Sequence, residues 1–92
     1  MRRNLENVKH LLDLVQAYAD QHGVLYEELA IKWQESGGGR PMQESECFYL
    51  VALCKQAGML NESVAPFHGG RLIQLTWSGH EYLDAKTIKP QI

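Results

Sequence analysis

Residues 75–85, which read Leu-Thr-Trp-Ser-Gly-His-Glu-Tyr-Leu-Asp-Ala, constrain the fold of this chain more than any other segment. Leu75 closes an apolar run that is typical of a strand, and Thr76 is a favourable N-cap for a helix. A strand therefore leads directly into a short amphipathic helix, which we predict to span residues 77–86. The side chains of that helix expected to face the interior are Trp77, His80, Tyr82 and Leu83.

Apolar residues that repeat at three- and four-residue intervals predict three further helices before this block. The first spans about residues 4–22, with Asn4 as its N-cap and Gly23 as its stop. The second spans about residues 25–35 and the third about 44–57. The third helix has a core-facing side (Cys47, Leu50, Leu53, Cys54 and Ala57) and an outward side (Ser45, Phe48, Ala52, Lys55 and Gln56).

A β-hairpin is predicted over residues 63–75, between the third and the last helix. A glycine pair separates its two apolar runs, and such a pair is typical of a tight hairpin turn. Val64 and Phe67 supply the apolar positions of the first strand. Pro66 cannot donate a ladder hydrogen bond, so that strand is expected at an edge of the sheet.

The order of these elements predicts the fold class. Helix, helix, loop, helix, hairpin and helix form a mainly α chain with a small β-hairpin, which is the α+β arrangement of a winged helix-turn-helix with an added C-terminal helix. With 92 residues, we expect one domain over 1–92. Residues 87–92 are expected to form a frayed tail, because Pro90 prevents the helix from continuing.

Charge and cysteine content restrict the partners and the compartment. The formal net charge is −2, whereas a nucleic-acid-binding protein usually carries a basic excess. Cys47 and Cys54 would be about 10.5 Å apart along a helix, which is too far for a disulfide, so we expect two reduced thiols and a cytoplasmic protein. No apolar run approaches the roughly 18 residues of a membrane span, and no membrane association is expected.

Three segments of the chain resemble a small bacterial family of unknown function that is common in phages and prophages. They are Met-Arg-Arg-Asn at 1–4, Ala-Gly-Met-Leu at 57–60 and the block at 75–85. The resemblance implies a winged-helix fold and a phage context, but no activity. The chain departs from the family at residues 49–50, which are Tyr-Leu where the family commonly has Tyr-His, and at Gly37–Gly39, which lengthen the turn before the third helix.

The third helix would read the major groove if the protein bound duplex DNA. Its outward side offers one cation, Lys55, against Glu44 at its margin, and Glu46 adds a second acid to the first turn. The hairpin adds Arg71, and Arg2–Arg3 could extend a discontinuous basic surface. The residues predicted to contact double-stranded DNA or a protein partner are Arg40, Ser45, Phe48, Lys55, Gln56, His68 and Arg71.

The sequence leaves two functions open. One is a small DNA-binding transcription regulator that acts as a dimer. The alternative is a protein-interaction module, an accessory factor or inhibitor that docks on a host or phage protein through Phe48 and does not bind DNA. A homodimer would bury Trp33, Trp77 and Leu14. Within the 75–85 block we expect structural roles for Trp77, Gly79 and His80, with His80 hydrogen-bonded between the last helix and the hairpin.

No constellation of residues predicts catalysis, a cofactor or a metal. The four histidines are scattered, and the cysteine spacing does not match the short ligand pairs of zinc sites. Glu27 and Glu28 lie in the first turn of a helix, where the helix dipole favours acids, rather than in a pocket. The sequence therefore predicts a protein that is not an enzyme.

Overall fold

The computed structural model describes residues 4–37, 43–66 and 69–87, and in these ranges it contains four helices and a three-stranded antiparallel sheet. The predicted α+β class is confirmed. The elements in chain order are α1 (Leu5–Tyr18), β1 (Val24–Leu25), α2 (Tyr26–Glu35), α3 (Glu44–Gln56), β2 (Leu60–Val64), β3 (Arg71–Leu75) and α4 (Trp77–Thr87). Strand order in the sheet is β1-β3-β2.

Helix α1 begins as predicted but ends at Tyr18 rather than at residue 22. The Asn4 side chain caps the helix by accepting hydrogen bonds from the second and third helical amides, at 3.0 and 3.2 Å. Ala19 is already extended, with ψ of 132°. The backbone amide of His22 then donates to the Asp20 carboxylate at 2.8 Å. Since Asp20 satisfies the turn locally, the chain leaves the helix early.

Strand β1 was not predicted, and it occupies the position expected for the start of the second helix. Val24 pairs with Ile73, and Leu25 pairs with Leu72, so β3 becomes the central strand. Gly23 precedes β1 with φ of +110°, and a Cβ atom at that position would lie 2.8 Å from the Ile73 carbonyl oxygen. A two-residue strand is too short to show the alternation by which strands are recognised in a sequence.

Strand β2 begins at Leu60 rather than at residue 63. Leu60 is buried, whereas Val64, an apolar position of the predicted strand, is 69% exposed and does not contribute to the core. The register explains the difference, because it places the packed end of β2 next to the last helix. β2 is an edge strand, as predicted, but Pro66 lies beyond its end. Phe67 lies outside the described residues.

The core lies between α1, α2, α3, α4 and the sheet. Val51 belongs to it, whereas Ala57, which the helical pattern assigned to the core, follows the last residue of α3 and is exposed. Cys47 and Cys54 are free and buried, as predicted. Burial raises the pKa of Cys47 to about 12 and that of Cys54 to about 11, so both remain neutral thiols near pH 7.

The two tryptophans have opposite environments. Trp33 is fully buried, and its indole N–H donates to the Gln43 carbonyl at 3.1 Å, which removes it from the predicted dimer surface. Trp77 is 81% exposed, and His80 is exposed as well, so the prediction that they face the interior was wrong. Among the described residues, the His80 side chain has no hydrogen-bond partner. Because Gly79 and Leu83 pack against the core, the side chains of Trp77 and His80 on the same helix point outward.

Candidate nucleic-acid interface

The outward side of α3 has the orientation that its sequence pattern predicts. Ser45, Ala52, Lys55 and Gln56 are exposed. Whether they contact DNA or a partner remains a prediction.

Phe48 is less available than the sequence indicates. Its ring is half-buried and stacks on the ring of Tyr26, with the centroids 4.9 Å apart and an angle of 28° between the planes. This pair joins the start of α2 to the middle of α3. Burial is also the main cause that raises the pKa of Tyr26, so its hydroxyl is neutral. Phe48 therefore presents one edge of an aromatic pair rather than a free ring.

A single carboxylate connects the two cations of the proposed contact surface. The Lys55 ammonium lies 3.0 Å from one carboxylate oxygen of Glu62, and the Arg71 guanidinium lies 3.6 Å from the other. The sheet register allows this, because Glu62 lies two positions before Val64, which pairs with Arg71. Residues at i and i+2 of a strand share one face. Lys55 and Arg71 are thus brought together, and each is partly neutralised.

Sequence reasoning did not identify Glu62 as part of this surface. A signal was present in the sequence. If β2 begins at the buried Leu60, the alternation of side chains along a strand puts Leu60 and Glu62 on the same face of the sheet. This signal is visible only when the start of β2 is placed at Leu60. The predicted start at residue 63 left Glu62 in a loop.

The first turn of α3 is acidic, but its two glutamates have different roles. Glu46 accepts a hydrogen bond from the Asn7 side chain, which directs it towards α1. Glu44 stays near the outward side, where the Gln34 amide donates to it at 3.4 Å. Glu44 therefore stays beside the outward side of α3, whereas Glu46 is directed away from it.

Within the described residues, every lysine and arginine contacts an acid or an aromatic ring. Lys9 pairs with Asp13 at 2.7 Å, and the ammonium of Lys86 lies 5.5 Å from the centroid of the Tyr82 ring. Lys32 pairs with Glu35 at 3.7 Å. All 11 acidic residues of the chain lie in these ranges. The predicted contacts Arg40 and His68, with Arg2 and Arg3, lie outside them.

The junction between β3 and α4 is tightly packed, and it holds the hairpin against the C-terminal helix. The Thr76 hydroxyl accepts from the Gly79 amide at 3.1 Å, as predicted for an N-cap, and donates to the Gly58 carbonyl at 2.5 Å. Gly79 is buried, and a Cβ atom on it would lie 2.3 Å from the Met59 carbonyl oxygen. Glycine is required at this position because α4 and the backbone before β2 approach so closely.

No protein-family model and no curated protein matches this chain. Among solved structures, it is similar to a point mutant of S. aureus MepR, a winged-helix protein, with a TM-score of 0.73 and 21% sequence identity. The match covers 88% of this chain and 54% of MepR, so the chain spans about half the length of that protein. None of the described helices is long and apolar enough to cross a membrane. The likeness shows that the chain has a winged-helix fold.

Proposed function

We propose that the protein is a small winged-helix transcription regulator of phage or prophage type that binds double-stranded DNA through α3 and the hairpin. One observation carries the proposal: Lys55 of α3 and Arg71 of β3 lie on one continuous surface, joined by Glu62. The structural similarity to MepR, a winged-helix regulator, supports the same class of function. The phage context rests on the resemblance of residues 75–85, and two reduced thiols fit a cytoplasmic setting.

In this proposal, Lys55 and Arg71 contact phosphates, while Ser45 and Gln56 on the exposed side of α3 face the groove. Arg40 and His68 are proposed as further contacts. Each neutralised phosphate contributes about 0.9 to the slope of log affinity against log salt concentration. Two phosphate contacts therefore give a slope of about two and a binding constant that falls readily with salt.

Glu62 opposes binding, because its carboxylate holds the two cations that would contact the phosphates. A phosphate must replace Glu62 as their partner, or add to it against its negative charge. We therefore expect weak binding by the wild-type protein. The substitution Glu62→Gln keeps the size of the side chain and removes the charge, so it should strengthen DNA binding.

The test is fluorescence anisotropy of a labelled random duplex at low and moderate salt. We expect Glu62→Gln to raise the affinity roughly fivefold, which corresponds to about 1 kcal/mol. Arg71→Glu and Lys55→Glu should each abolish binding. Glu81→Gln and Lys86→Glu on α4 change the net charge by the same amounts away from this surface, and they should differ little from wild type. Equal affinities for Glu62→Gln and Glu81→Gln would refute the proposed surface.

The second candidate is a protein-interaction module, and the Tyr26–Phe48 pair favours it. An aromatic pair beside partly neutralised cations suits a protein partner better than a phosphate backbone. This function predicts that folded wild-type protein and Glu62→Gln both fail to bind DNA at low salt. Phe48→Ala would then weaken capture of the partner, whereas Ala52→Ser, on the same side of α3, would not.

A homodimer is proposed for either function, with Trp77 rather than Trp33 at its interface. An indole that is 81% exposed is apolar surface that a second copy could cover. Light scattering at micromolar concentration measures the mass. A monomer mass for the wild-type protein would remove the dimer from the proposal.

A further inference from the structure

An open cleft of about 530 Å³ lies between the start of α2 and the tip of the hairpin. It opens beside the proposed DNA-binding surface, because Arg71 belongs to both. Gly69 and Gly70 line the cleft on the hairpin side, and neither has a side chain to fill it. Leu25 packs against this side, since a Cβ atom on Gly70 would lie 3.3 Å from the Leu25 side chain. A bound molecule can therefore approach the hairpin backbone closely.

Tyr26 supplies an unpaired hydroxyl to this cleft. Among the described residues, the hydroxyl has no hydrogen-bond partner. In the same ranges, the one buried side-chain oxygen or nitrogen without a partner is that of Tyr82, so the Tyr26 hydroxyl is open to solvent. The stack on Phe48, with the centroids 4.9 Å apart, fixes the Tyr26 ring. Because the ring is already fixed, little conformational entropy is lost when its hydroxyl binds a ligand.

The polar side chains that line the cleft suit an anion near the hairpin. The Arg71 side chain is 66% exposed and contacts Glu62 through one terminal nitrogen, so other N–H groups of the guanidinium remain for a second partner. Burial is the main cause that raises the pKa of Tyr26, so its hydroxyl keeps the proton that it can donate. Among the smaller causes, Glu62 raises this pKa and Arg71 lowers it, since both charges lie near the hydroxyl. Glu27 adds a carboxylate to the cleft, and solvent screens it because it is exposed.

We propose that this cleft takes one phosphate of the DNA backbone, and that the Tyr26 hydroxyl donates a hydrogen bond to the phosphate that Arg71 contacts. Tyr26 is thus a DNA-contact residue that the sequence pattern did not indicate. Its hydroxyl is neutral, so it adds affinity without neutralising a phosphate charge. The inference rests on the proposed function, and it extends the contact surface from α3 and the hairpin to the first residue of α2.

The test measures the fluorescence anisotropy of a labelled random duplex with Tyr26→Phe at several salt concentrations. Loss of one net hydrogen bond should lower the affinity roughly two- to tenfold, while the slope of log affinity against log salt concentration keeps its wild-type value. Arg71→Gln removes a charge instead, so it should lower the affinity and reduce that slope by about 0.9. The control Tyr18→Phe removes a hydroxyl from an exposed side chain on α1 that does not line the cleft, and it should bind like wild type.

Two adjacent acids test the position of the phosphate. Glu27 lines the cleft, whereas Glu28, in the same first turn of α2, does not. Both are exposed, and substitution of either by Gln changes the net charge by the same amount. Glu27→Gln should raise the affinity roughly twofold, because it removes the carboxylate next to the phosphate, and Glu28→Gln should raise it less.

The outcomes separate this inference from the proposed function. If the wild-type protein binds the duplex and Arg71→Gln weakens binding, but Tyr26→Phe binds like wild type, the inference fails and the proposed function stands. A changed salt slope for Tyr26→Phe, or equal effects of Glu27→Gln and Glu28→Gln, would also contradict the inference. Absence of binding by folded wild-type protein at low salt would overturn both. Tyr26→Phe should melt close to wild type, because its hydroxyl has no partner among the described residues.

Discussion

The two sides of the hairpin are attached to the helices by different kinds of contact. Next to α4, the Thr76 hydroxyl and the buried Gly79 lie against backbone atoms of Gly58 and Met59. Next to α3, Glu62 holds Lys55 and Arg71, whose side chains are partly or largely exposed. Backbone atoms cannot move aside without displacing a whole element, whereas exposed ion pairs can exchange partners with water or a ligand. The α4 side therefore stabilises the fold, and the α3 side is suited to binding.

The largest loss of stability is expected at the contact between α4 and the backbone before β2. Gly79→Ala places a methyl group against the Met59 carbonyl, and α4 must move away from β2. We expect the free energy of unfolding to fall by about 2–4 kcal/mol, although Ala is otherwise the better helix former. Urea denaturation measures the change. The matched control is Ser78→Ala on the exposed side of the same turn, which should stay within about 0.5 kcal/mol of wild type. Similar stabilities for the two variants would show that the contact is not tight.

A smaller loss is expected from the cap of α4. Thr76→Ala removes the acceptor for the Gly79 amide and the donor to the Gly58 carbonyl, and should cost about 1 kcal/mol. Thr76→Ser keeps the hydroxyl and should be close to wild type. Thermal unfolding with circular dichroism compares the three proteins. Equal losses for Ala and Ser would assign the effect to the methyl group of Thr76 rather than to the hydrogen bonds.

The smallest effect on stability is expected on the α3 side. Glu62→Gln weakens two ion pairs in which the cations are 38% and 66% exposed and Glu62 is 20% exposed, so the free energy of unfolding should change by about 0.5 kcal/mol or less. The same substitution is expected to raise DNA affinity roughly fivefold, so Glu62 should matter more for binding than for folding. A loss in urea denaturation as large as that of Gly79→Ala would make Glu62 a structural residue and leave no separate binding side.

Local features of the fold were predictable from the sequence. Asn4 and Thr76 are small polar residues before apolar periodic segments, and both cap helices as predicted. The two sides of α3 followed from its helical spacing, and β3 (Arg71–Leu75) forms the second strand of the predicted hairpin. These features depend on neighbouring residues within about one turn of helix or a few strand positions, so a linear pattern reports them directly.

The candidate surface was only partly predictable, because its central residue depends on pairing between strands. Lys55 and Arg71 were predicted as separate cations, but Glu62 was assigned to a loop. The charge of each residue is visible in the sequence, whereas its partner is decided by the register of β2 against β3. Arg40 and His68 lie outside the described residues, so their predicted contacts stay predictions.

The amino-acid pattern was sufficient to predict the four helices, the N-caps of α1 and α4, the hairpin and hence the winged-helix fold. The tertiary structure alone decided three features: the short strand β1, the rotation of α4 that exposes Trp77, and the Lys55–Glu62–Arg71 contacts. Hydrophobic periodicity reports which side of an element is apolar, and it does so well where the pattern is long. It does not report which distant backbone lies against that side. At Gly79 and Glu62, contacts with residues far along the chain decide the outcome.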